Sequence, residues 1–600
     1  MANLSKERRD RMMAKLEELK AIHSDDESIM ALNEIENALK EKKFGLVFEE
    51  HSEMVDEMLR ENIPVFTADP ERRICKDENS PWNFIIEGDN LQALYLLEKT
   101  HKGKVDCIYI DPPYNTGAHD WKYNNNYVGV DDGYRHSLWL SMMHNRLVIA
   151  KNLLTETGVM IVAIDDYEVS RLMVLIEDIF PDYDVCPVIV NHHPQGGAAD
   201  NISRTHEYAL FVVPKGKKIV KGNVTEGVEE SWSLTRGGTD RRNLRQGRPN
   251  SFYAIYVDKD TYEVKGVGPH LDVDTPYDYK APDGCFALYP VGKDGTERVW
   301  RYERESMQQH IKDGDIVCTA KKTLNVVKHR DVKYSPVVSV WTDGRYNAGT
   351  FGTSLLYDIF GQQNRFSYPK SLYTVEDCIK FSIHGKKNAT IVDFFSGSGT
   401  TGHAVALINS EDGGNRKFIM VTNNEISEAE EIAFAKRGVH KGDEEWEEKG
   451  IAKFITYPRI KCVIDGVDIN GNPLRGTYLG SNRPMSEGFQ ENVKYFKCEW
   501  VPRIPKEENL ADLLLEHIRE MIELEHAIEI DSKTYIVILE EAEADCLEKN
   551  WNHYSDLRGI FLSRNVLLTT KQRRLFNTIE MHTIPDYYFD IEMKEVGESW

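Results

Sequence analysis

Short apolar runs that end at polar loops recur along the chain and predict buried strands. The run 105–110 ends at Asp111, and the run 158–164 ends at another acid. The segment 139–154 between them has helical spacing, and a further strand is expected at 208–213. Strands that alternate with helices are typical of α/β proteins with a largely parallel sheet.

A second strand-to-helix unit is predicted later in the chain. The apolar run 389–392 ends at Asp393, and small residues lead into a helix that begins near Thr401. Backbone N–H groups and hydroxyls then converge at a helix N-terminus, which favours an anionic ligand group. The glycine spacing matches a dinucleotide fingerprint formed by Gly397, Gly399 and Gly402. That spacing alone is weak evidence for NAD, and a missing Gly-Lys-Ser/Thr sequence excludes a Walker loop.

Two or three helices are expected at 1–62. Ser24 and Glu27 have the spacing of a capping box, and an apolar stripe follows them. The stripe consists of Ile29, Leu32, Ile35 and Leu39. It indicates either a helical hairpin packed on the main body or a helix that binds a partner.

Two later segments differ from this pattern. Between residues 214 and 350 regular periodicity fades, and turn residues and aromatics increase. Near the end of the chain, an apolar helix at 513–524 and strands at 535–539 and 559–562 predict a small α/β module.

Composition limits the classes of protein to which the chain can belong. Its 600 residues predict roughly three to five structural units. The net charge of −24 and the pI near 5.3 argue against nucleic-acid binding by bulk charge. Nine cysteines without a C-x-x-C pair predict neither a zinc site nor a disulfide framework, so no metal is expected. We found no signal peptide and no apolar run of about eighteen residues, which predicts a soluble cytoplasmic protein without a membrane anchor.

A local cluster of arginines contrasts with the acidic composition. It lies in a glycine-rich stretch and consists of Arg236, Arg241, Arg242, Arg245 and Arg248, with Asp240 as the single acid. Such clusters suit phosphate binding and bidentate recognition of guanine, and we favour this interpretation over a solvated charge run. Weaker candidates are Lys321, Lys322, Lys328 and Arg330.

The loop Asp111-Pro112-Pro113-Tyr114 carries the main candidate chemistry. Its prolines fix φ, so the Asp111 carboxylate and the Pro112 carbonyl can both accept from one donor group. Tyr114 adds a stacking face. A strand-terminating turn is the alternative, but the sequence resembles the catalytic tetrapeptide of amino-methyltransferases, which modify exocyclic amines of DNA bases.

The stretch from Asp393 to Thr401 resembles the S-adenosylmethionine loop of the β class of these enzymes. In that class the catalytic loop precedes the cofactor loop and a recognition domain lies between them, as in this chain. From about residue 80 to 500, the chain resembles modification (Mod) subunits of Type III restriction systems and their stand-alone relatives. The resemblance implies a Rossmann-like fold with a permuted motif order.

The resemblance also implies the cofactor-binding residues. Asp393 would face the methionine ammonium, and Ser398, Thr400 and Thr401 would lie near its carboxylate. Asp89 would lie near the adenine of the cofactor. The other residues assigned to this site are Asn90, Lys370, Phe394, Ser396, Gly397, Gly399 and Glu425. Where many relatives bind the ribose with an acid, this chain has two asparagines before Glu425, so either Glu425 or an asparagine is expected to bind it.

The implied activity is transfer of a methyl group to the N6 amine of a flipped adenine in double-stranded DNA. The catalytic residues would be Asp111, Pro112, Pro113 and Tyr114, with His206 and Glu207 near the base pocket. The arginine cluster and His206 are assigned to DNA binding. The alternatives are cytosine-N4 methylation, where Ser is commoner than Asp in the loop, glutamine-amide methylation, and a recognition subunit for a partner nuclease.

The predicted α/β fold is divided into five segments. These are a helical region at 1–75, the catalytic half of the methyltransferase domain at 76–213, a target-recognition domain at 214–350, the cofactor-binding half at 351–505 and a C-terminal module at 506–600. A homodimer is expected, with a helicase-nuclease restriction subunit as a further partner. No helicase or nuclease motif occurs in the chain, so restriction would need that second protein.

Overall fold

Runs of β-branched and aromatic residues form most strands of the protein. The structure is a computed structural model that describes residues 4–23, 25–40, 48–123, 126–129, 133–196, 201–363, 365–505 and 509–595. The strands are β1 (Asn62–Ala68), β2 (Trp82–Glu87), β3 (Val105–Ile110), β4 (Ala118–Tyr123), β5 (Asn126–Gly129), β6 (Leu154–Ile164), β7 (Tyr183–Val190), β8 (Glu207–Pro214), β9 (Val224–Ser233), β10 (Ile255–Asp258), β11 (Val264–Val267), β12 (Cys285–Leu288), β13 (Ile316–Cys318), β14 (Leu324–Tyr334), β15 (Val340–Trp341), β16 (Thr390–Asp393), β17 (Lys417–Thr422), β18 (Asn492–Pro502), β19 (Tyr535–Ile538), β20 (Gly559–Leu562) and β21 (Glu580–Thr583).

Helices connect and cover these strands. They are α1 (Leu4–Ile22), α2 (Asp26–Lys40), α3 (Met54–Glu61), α4 (Asn90–His101), α5 (Arg135–Leu153), α6 (Val169–Ile179), α7 (Arg304–Lys312), α8 (Leu355–Ile359), α9 (Leu372–Ile383), α10 (Thr400–Asp412), α11 (Glu428–Ala435), α12 (Glu444–Glu447), α13 (Tyr457–Asp465), α14 (Leu510–Leu515), α15 (Ile518–His526), α16 (Glu541–Lys549), α17 (Thr570–Phe576) and α18 (Asp590–Glu595). Among the described helices, none has both the length and the apolar character needed to cross a bilayer.

A ten-stranded sheet in the order β1-β18-β2-β17-β16-β3-β6-β8-β7-β15 forms the centre of the larger part of the chain. The six neighbours from β18 to β6 are parallel, whereas β8 runs antiparallel between β6 and β7. Both faces are covered: Ile108 and Ile110 of β3 belong to one core cluster, and Cys107 and Tyr109 belong to the other. Alternation of this kind follows from the two-residue period of a strand. The predicted α/β class is confirmed.

The chain divides into two compact units, Met1–Val220 with Val337–Trp600, and Lys221–Pro336. The second unit contains two three-stranded sheets, β11-β10-β12 and β13-β14-β9. Its limits lie inside the predicted 214–350 segment. The physical reason is that Ile219 and Trp341 pack in the core of the main sheet, and β15 pairs with β7 of that sheet.

The two ends of the chain contain further elements. Leu32 of the predicted N-terminal stripe is buried, but Ile29 and Ile35 are exposed. Ser24 of the expected capping box lies outside the described residues. Near the other end, β19, β20 and β21 form a parallel sheet, whereas Leu510 and Met521 of α14 and α15 pack in the core of the main sheet.

Candidate active site

Several strands of the main sheet end at acidic residues on one edge. Asp111 follows β3, Asp165 follows β6, and Asp393 is the last residue of β16. Carboxyl ends of parallel strands meet at the same edge, and ligands of open α/β sheets bind there. Because β8 is antiparallel, its first residue, Glu207, begins at this edge. The topology therefore gathers acids from distant parts of the sequence.

An ion cluster joins the loop after β3 to β8 and to the segment before α9. Lys370 Nζ lies 2.9 Å from Asp111 Oδ1 and 3.2 Å from Glu207 Oε2. The Tyr114 hydroxyl donates to Glu207 Oε2 over 2.9 Å. The same ammonium lies 4.6 Å from the centre of the Tyr114 ring. The structure thus places Lys370, which we assigned to the cofactor, in contact with the proposed catalytic residues.

Burial and charge shift the ionisation of this cluster. Burial raises the pKa of the Asp111 carboxyl above its ordinary value, although the nearby ammonium of Lys370 lowers it. Burial alone would lower the pKa of Lys370, but Asp111 and Glu207 raise it above its usual range. Burial also raises the pKa of Tyr114, and the two carboxylates add to this effect. Lys370 is therefore an ammonium ion at neutral pH.

Buried contacts hold the loop after Tyr114. Trp139 of α5 donates its indole N–H to the Pro113 carbonyl over 2.7 Å. Asn115 adopts a left-handed backbone conformation with φ of 57°, and its amide donates to Glu168 Oε1 over 2.6 Å. A left-handed residue other than glycine costs free energy, and such residues concentrate at functional sites. Trp139, Asn115 and Glu168 therefore fix the direction of the catalytic loop.

The loop after β16 is narrow and glycine-dependent. Gly397 and Gly399 have φ of +45° and +76°. A Cβ atom on Gly397 would lie 3.3 Å from the Phe366 ring, and one on Gly399 would lie 3.3 Å from Thr456 Cγ2. The Ser396 hydroxyl donates to the Val421 carbonyl over 3.0 Å. The loop therefore passes between neighbouring elements as a close-fitting backbone cradle.

Asp393 is buried at the start of this loop. It accepts hydrogen bonds from the Thr401 hydroxyl and from the Phe395 N–H, the latter over 3.0 Å. Burial raises the pKa of the Asp393 carboxyl to about 7, although both hydrogen bonds lower it. A carboxyl in this state can ionise when a cation approaches it.

Asp89 and Asn90 begin α4 beside the cofactor loop. Asp89 caps the helix through the Leu91 N–H, and the Asn90 amide donates to the Phe394 carbonyl over 2.9 Å. Arg146 of α5 donates to Asn90 Oδ1 and lies 3.5 Å from Asp89 Oδ1. It also forms two hydrogen bonds with Glu53. Sequence reasoning missed this role, although an arginine in an otherwise apolar helix was a visible signal.

The residues after β17 differ in their availability to a ligand. The Asn424 amide donates to the backbone and side chain of Glu447, and its carbonyl accepts from the Lys453 N–H. Asn424 is therefore used internally, whereas Asn423 is exposed and Glu425 is half-buried. Ribose binding by Asn423 or Glu425 stays a prediction.

The predicted DNA-binding arginines fall into two groups. Arg241 and Arg248 are exposed, and Arg242 is exposed but paired with Asp240 at 3.1 Å. Arg236 is partly buried. Arg245 requires a correction, since its side chain is buried.

The buried guanidinium of Arg245 is used to hold loops together. It donates to the carbonyls of Asp272 and Thr275 over 2.7 Å each, and it lies 4.2 Å from the centre of the Phe252 ring. A side chain with these partners is not available to DNA. His206, also assigned to DNA, lies at the sheet edge beside Glu207, with Nε2 3.3 Å from the Tyr208 hydroxyl.

A further buried arginine touches the cofactor loop. Arg459 of α13 donates from Nη1 to Ser398 Oγ over 3.0 Å and to Thr400 Oγ1 over 2.7 Å. Sequence reasoning missed this residue, because nothing local links it to a loop about sixty residues earlier in the chain.

Comparison with known proteins places this geometry in a family. A family model described as DNA methylase matches residues 105–433, more than half of the chain. The Type II methyltransferase M.KpnI from Klebsiella pneumoniae is 33% identical over 401 residues, which cover 64% of this chain and 87% of that protein. The Mod subunit of the Type III restriction-modification enzyme EcoPI from Escherichia phage P1 is 29% identical over 418 residues, which cover 61% of this chain and 62% of that subunit.

One solved structure among those that match is a DNA modification methylase from Thermus thermophilus in complex with S-adenosyl-L-methionine. It is 14% identical, the match covers 56% of this chain and 87% of that chain, and the TM-score is 0.25. The family match and the likeness to M.KpnI decide the assignment. This chain belongs to the DNA methylase family of N6 and N4 methyltransferases.

Proposed function

We propose that the protein transfers the methyl group of S-adenosyl-L-methionine to the N6 amine of an adenine rotated out of double-stranded DNA. One observation carries the proposal: an N–H donor already lies where the base amine would lie. The Lys370 ammonium contacts Asp111 and faces the Tyr114 ring. An acceptor beside an aromatic face suits a planar base that carries an amine.

The cofactor fits the residues present. Bound S-adenosyl-L-methionine supplies an electrophilic methyl group. Its ammonium would be held by Asp393, a buried carboxyl that a cation can ionise. Its carboxylate would lie at the N-terminus of α10, near Ser398, Thr400 and Thr401. The close contacts of Gly397 and Gly399 leave room for the loop backbone alone, as a cofactor cradle requires.

The side chains of this chain would do the remaining work. The Asp111 carboxylate and the Pro112 carbonyl accept the two N–H bonds of the amine, so that its lone pair faces the methyl group. Tyr114 replaces the stacking that the base loses, and Lys370 moves away from Asp111 when the base enters. The methylated amine then releases one proton, for which Asp111 and Glu207 are the neighbouring acceptors.

The likeness to the EcoPI Mod subunit supports a place in a restriction-modification system. We propose that a restriction subunit is the partner in that system. This chain spans 62% of the length of that subunit, so the partner must be tested directly. A homodimer stays a prediction.

The test of the proposed function uses the purified full chain, tritiated S-adenosyl-L-methionine and unmethylated bacterial DNA, followed by nucleoside mass spectrometry. We expect N6-methyladenine in the DNA. Label in N4-methylcytosine would contradict the choice of base and keep the reaction class. No label despite DNA binding would favour the alternative, a recognition subunit that depends on its partner.

Binding of the cofactor should release a proton near neutral pH. The Asp393 carboxyl has a pKa of about 7 in the folded protein and about 4 in an unfolded chain. Its contribution to stability is therefore complete below about pH 4 and is lost as the pH rises through 7. A bound ammonium would lower this pKa, so binding at pH 6.5 should release more protons than binding at pH 8.5. Calorimetry in buffers of different ionisation enthalpy measures this release, and Asp393→Asn should abolish it.

The arginine cluster predicts a contrast in DNA binding. Replacing exposed Arg241 or Arg248 by alanine should weaken DNA binding and reduce the slope of log K against log[salt] by about one for each phosphate that the variant no longer binds. Replacing buried Arg245 should instead lower the thermal midpoint, because it removes bonds between loops. Filter binding at several salt concentrations and calorimetry separate the two effects. Equal salt slopes for wild type, Arg241→Ala and Arg248→Ala would argue against this DNA-binding region.

A further inference from the structure

Arg459 carries a buried charge at the loop assigned to the cofactor. Its side chain is fully buried. Besides the two hydroxyls, Nη1 donates to the Ser398 carbonyl over 3.2 Å. The Nε and Nη2 atoms are buried and have no hydrogen-bond partner among the described residues. Half of the guanidinium is thus unsatisfied in a position that water does not reach.

No carboxylate balances this charge in the described part of the chain. Burial lowers the pKa of the guanidinium to about 9, and the only group that raises it is Tyr478. Arg459 is still a cation at neutral pH. A buried charge without a counter-ion is costly, by several kcal/mol per ion. Retention of such a cation points to an anion that is held at the same place when the protein is loaded.

The contacts of Arg459 show where that anion would bind. Helix α10 begins at Thr400, and its N-cap residue Gly399 provides no side-chain cap. Ser398 Oγ and Thr400 Oγ1 are 3.1 Å apart, so one hydroxyl hydrogen is shared between them. The other remains for a ligand, since both oxygens accept from Arg459. Helix dipole, hydroxyl and guanidinium therefore favour negative charge at one point.

We propose that Arg459 is a positioning residue for the carboxylate of the methionine moiety, acting through Ser398 and Thr400. This inference rests on the proposed cofactor. Neutralisation of the arginine by the carboxylate would make the two groups mutually dependent. The protein would then discriminate strongly against a cofactor analogue that lacks the carboxylate.

Packing prevents Arg459 from moving away. A Cβ atom on Gly402 of α10 would lie 2.9 Å from Ile460 Cδ1, the residue next to Arg459. In addition, the Thr456 hydroxyl donates to the Gly397 carbonyl over 2.6 Å. The segment 456–460 is therefore pressed against the cofactor loop, and the guanidinium is held in the geometry in which it polarises the two hydroxyls.

The test compares two ligands by calorimetry: S-adenosyl-L-methionine and its decarboxylated analogue. We expect Arg459→Met to weaken binding of S-adenosyl-L-methionine by about 10- to 100-fold, the usual range for a hydrogen bond to a charged group. Binding of the decarboxylated analogue should change by no more than about threefold on the same argument. Arg459→Lys should restore part of the preference, because it keeps the charge and loses the fork.

Arg416 provides a matched control. It is as buried as Arg459 but is paired with Asp412 at 2.7 Å. Arg416→Met should leave the preference between the two ligands unchanged. If Arg459→Met does not fold, Thr400→Val provides the second variant, and we expect it also to reduce the preference.

The outcomes are distinct. An equal loss of affinity for both ligands in the Arg459 and Thr400 variants would overturn this inference and leave the proposed function intact. Wild-type protein that binds neither ligand would overturn the proposed function and this inference together.

Discussion

Replacement of Asp111 by alanine is expected to lower methyl transfer by about 10²- to 10³-fold, the usual cost of removing one preorganised polar partner from a reaction site. The carboxylate would be the acceptor that orients the amine, and its present partner, Lys370, would be left beside Glu207 alone. Cofactor binding should change by only a few-fold on this view, since Asp111 acts on the base. Asp111→Asn, which keeps the shape but loses the charge, should fall between alanine and wild type.

Single-turnover transfer of tritium to DNA measures the chemical step, and calorimetry measures cofactor binding. Asp106 offers a control on the same strand, at the end away from the loop. It pairs with Lys386 and accepts from the Thr390 N–H. Asp106→Ala should reduce stability but not the rate per folded molecule. An Asp111→Ala protein that retains a third or more of the wild-type rate, in a folded state, would contradict the assigned role.

The strands that support the site could be predicted because their signal is local. An apolar run that ends at an acid marks β3 and β16, and the structure has strands at both places. Their adjacency in the sheet was not visible in the spacing itself, since the two runs are far apart along the chain. It came from the family resemblance, which implied one domain from two separated halves.

Side-chain destinations were harder to predict than strands. Lys370 was assigned to the cofactor from its place in a motif, yet it contacts Asp111 and Glu207 because three distant segments converge there. Arg245 and Arg248 look alike in the sequence, but packing of Phe252 over the guanidinium makes only Arg245 internal. Burial of a charged residue depends on long-range contacts, which a charge count does not contain.

The second large effect concerns Arg146, which organises the start of α4 from within the core. It is almost completely buried, and its guanidinium serves Glu53, Asn90 and Asp89 together. Burial raises the pKa of the Glu53 carboxyl, and the guanidinium opposes that rise. Replacing Arg146 by methionine fills similar volume but leaves Glu53 buried without its partner. We expect a loss of about 3–5 kcal/mol in the free energy of unfolding.

Chemical denaturation of the full chain measures this loss. Lys461→Met serves as the control, because the Lys461 side chain is 52% exposed and its pair with Asp465 lies on the surface of α13. Such a pair is worth less than about 1 kcal/mol. The double variant Arg146→Met with Glu53→Gln should recover part of the stability, since it removes the stranded carboxylate. If the double variant is no more stable than Arg146→Met alone, the cost lies in lost packing and the charge argument fails.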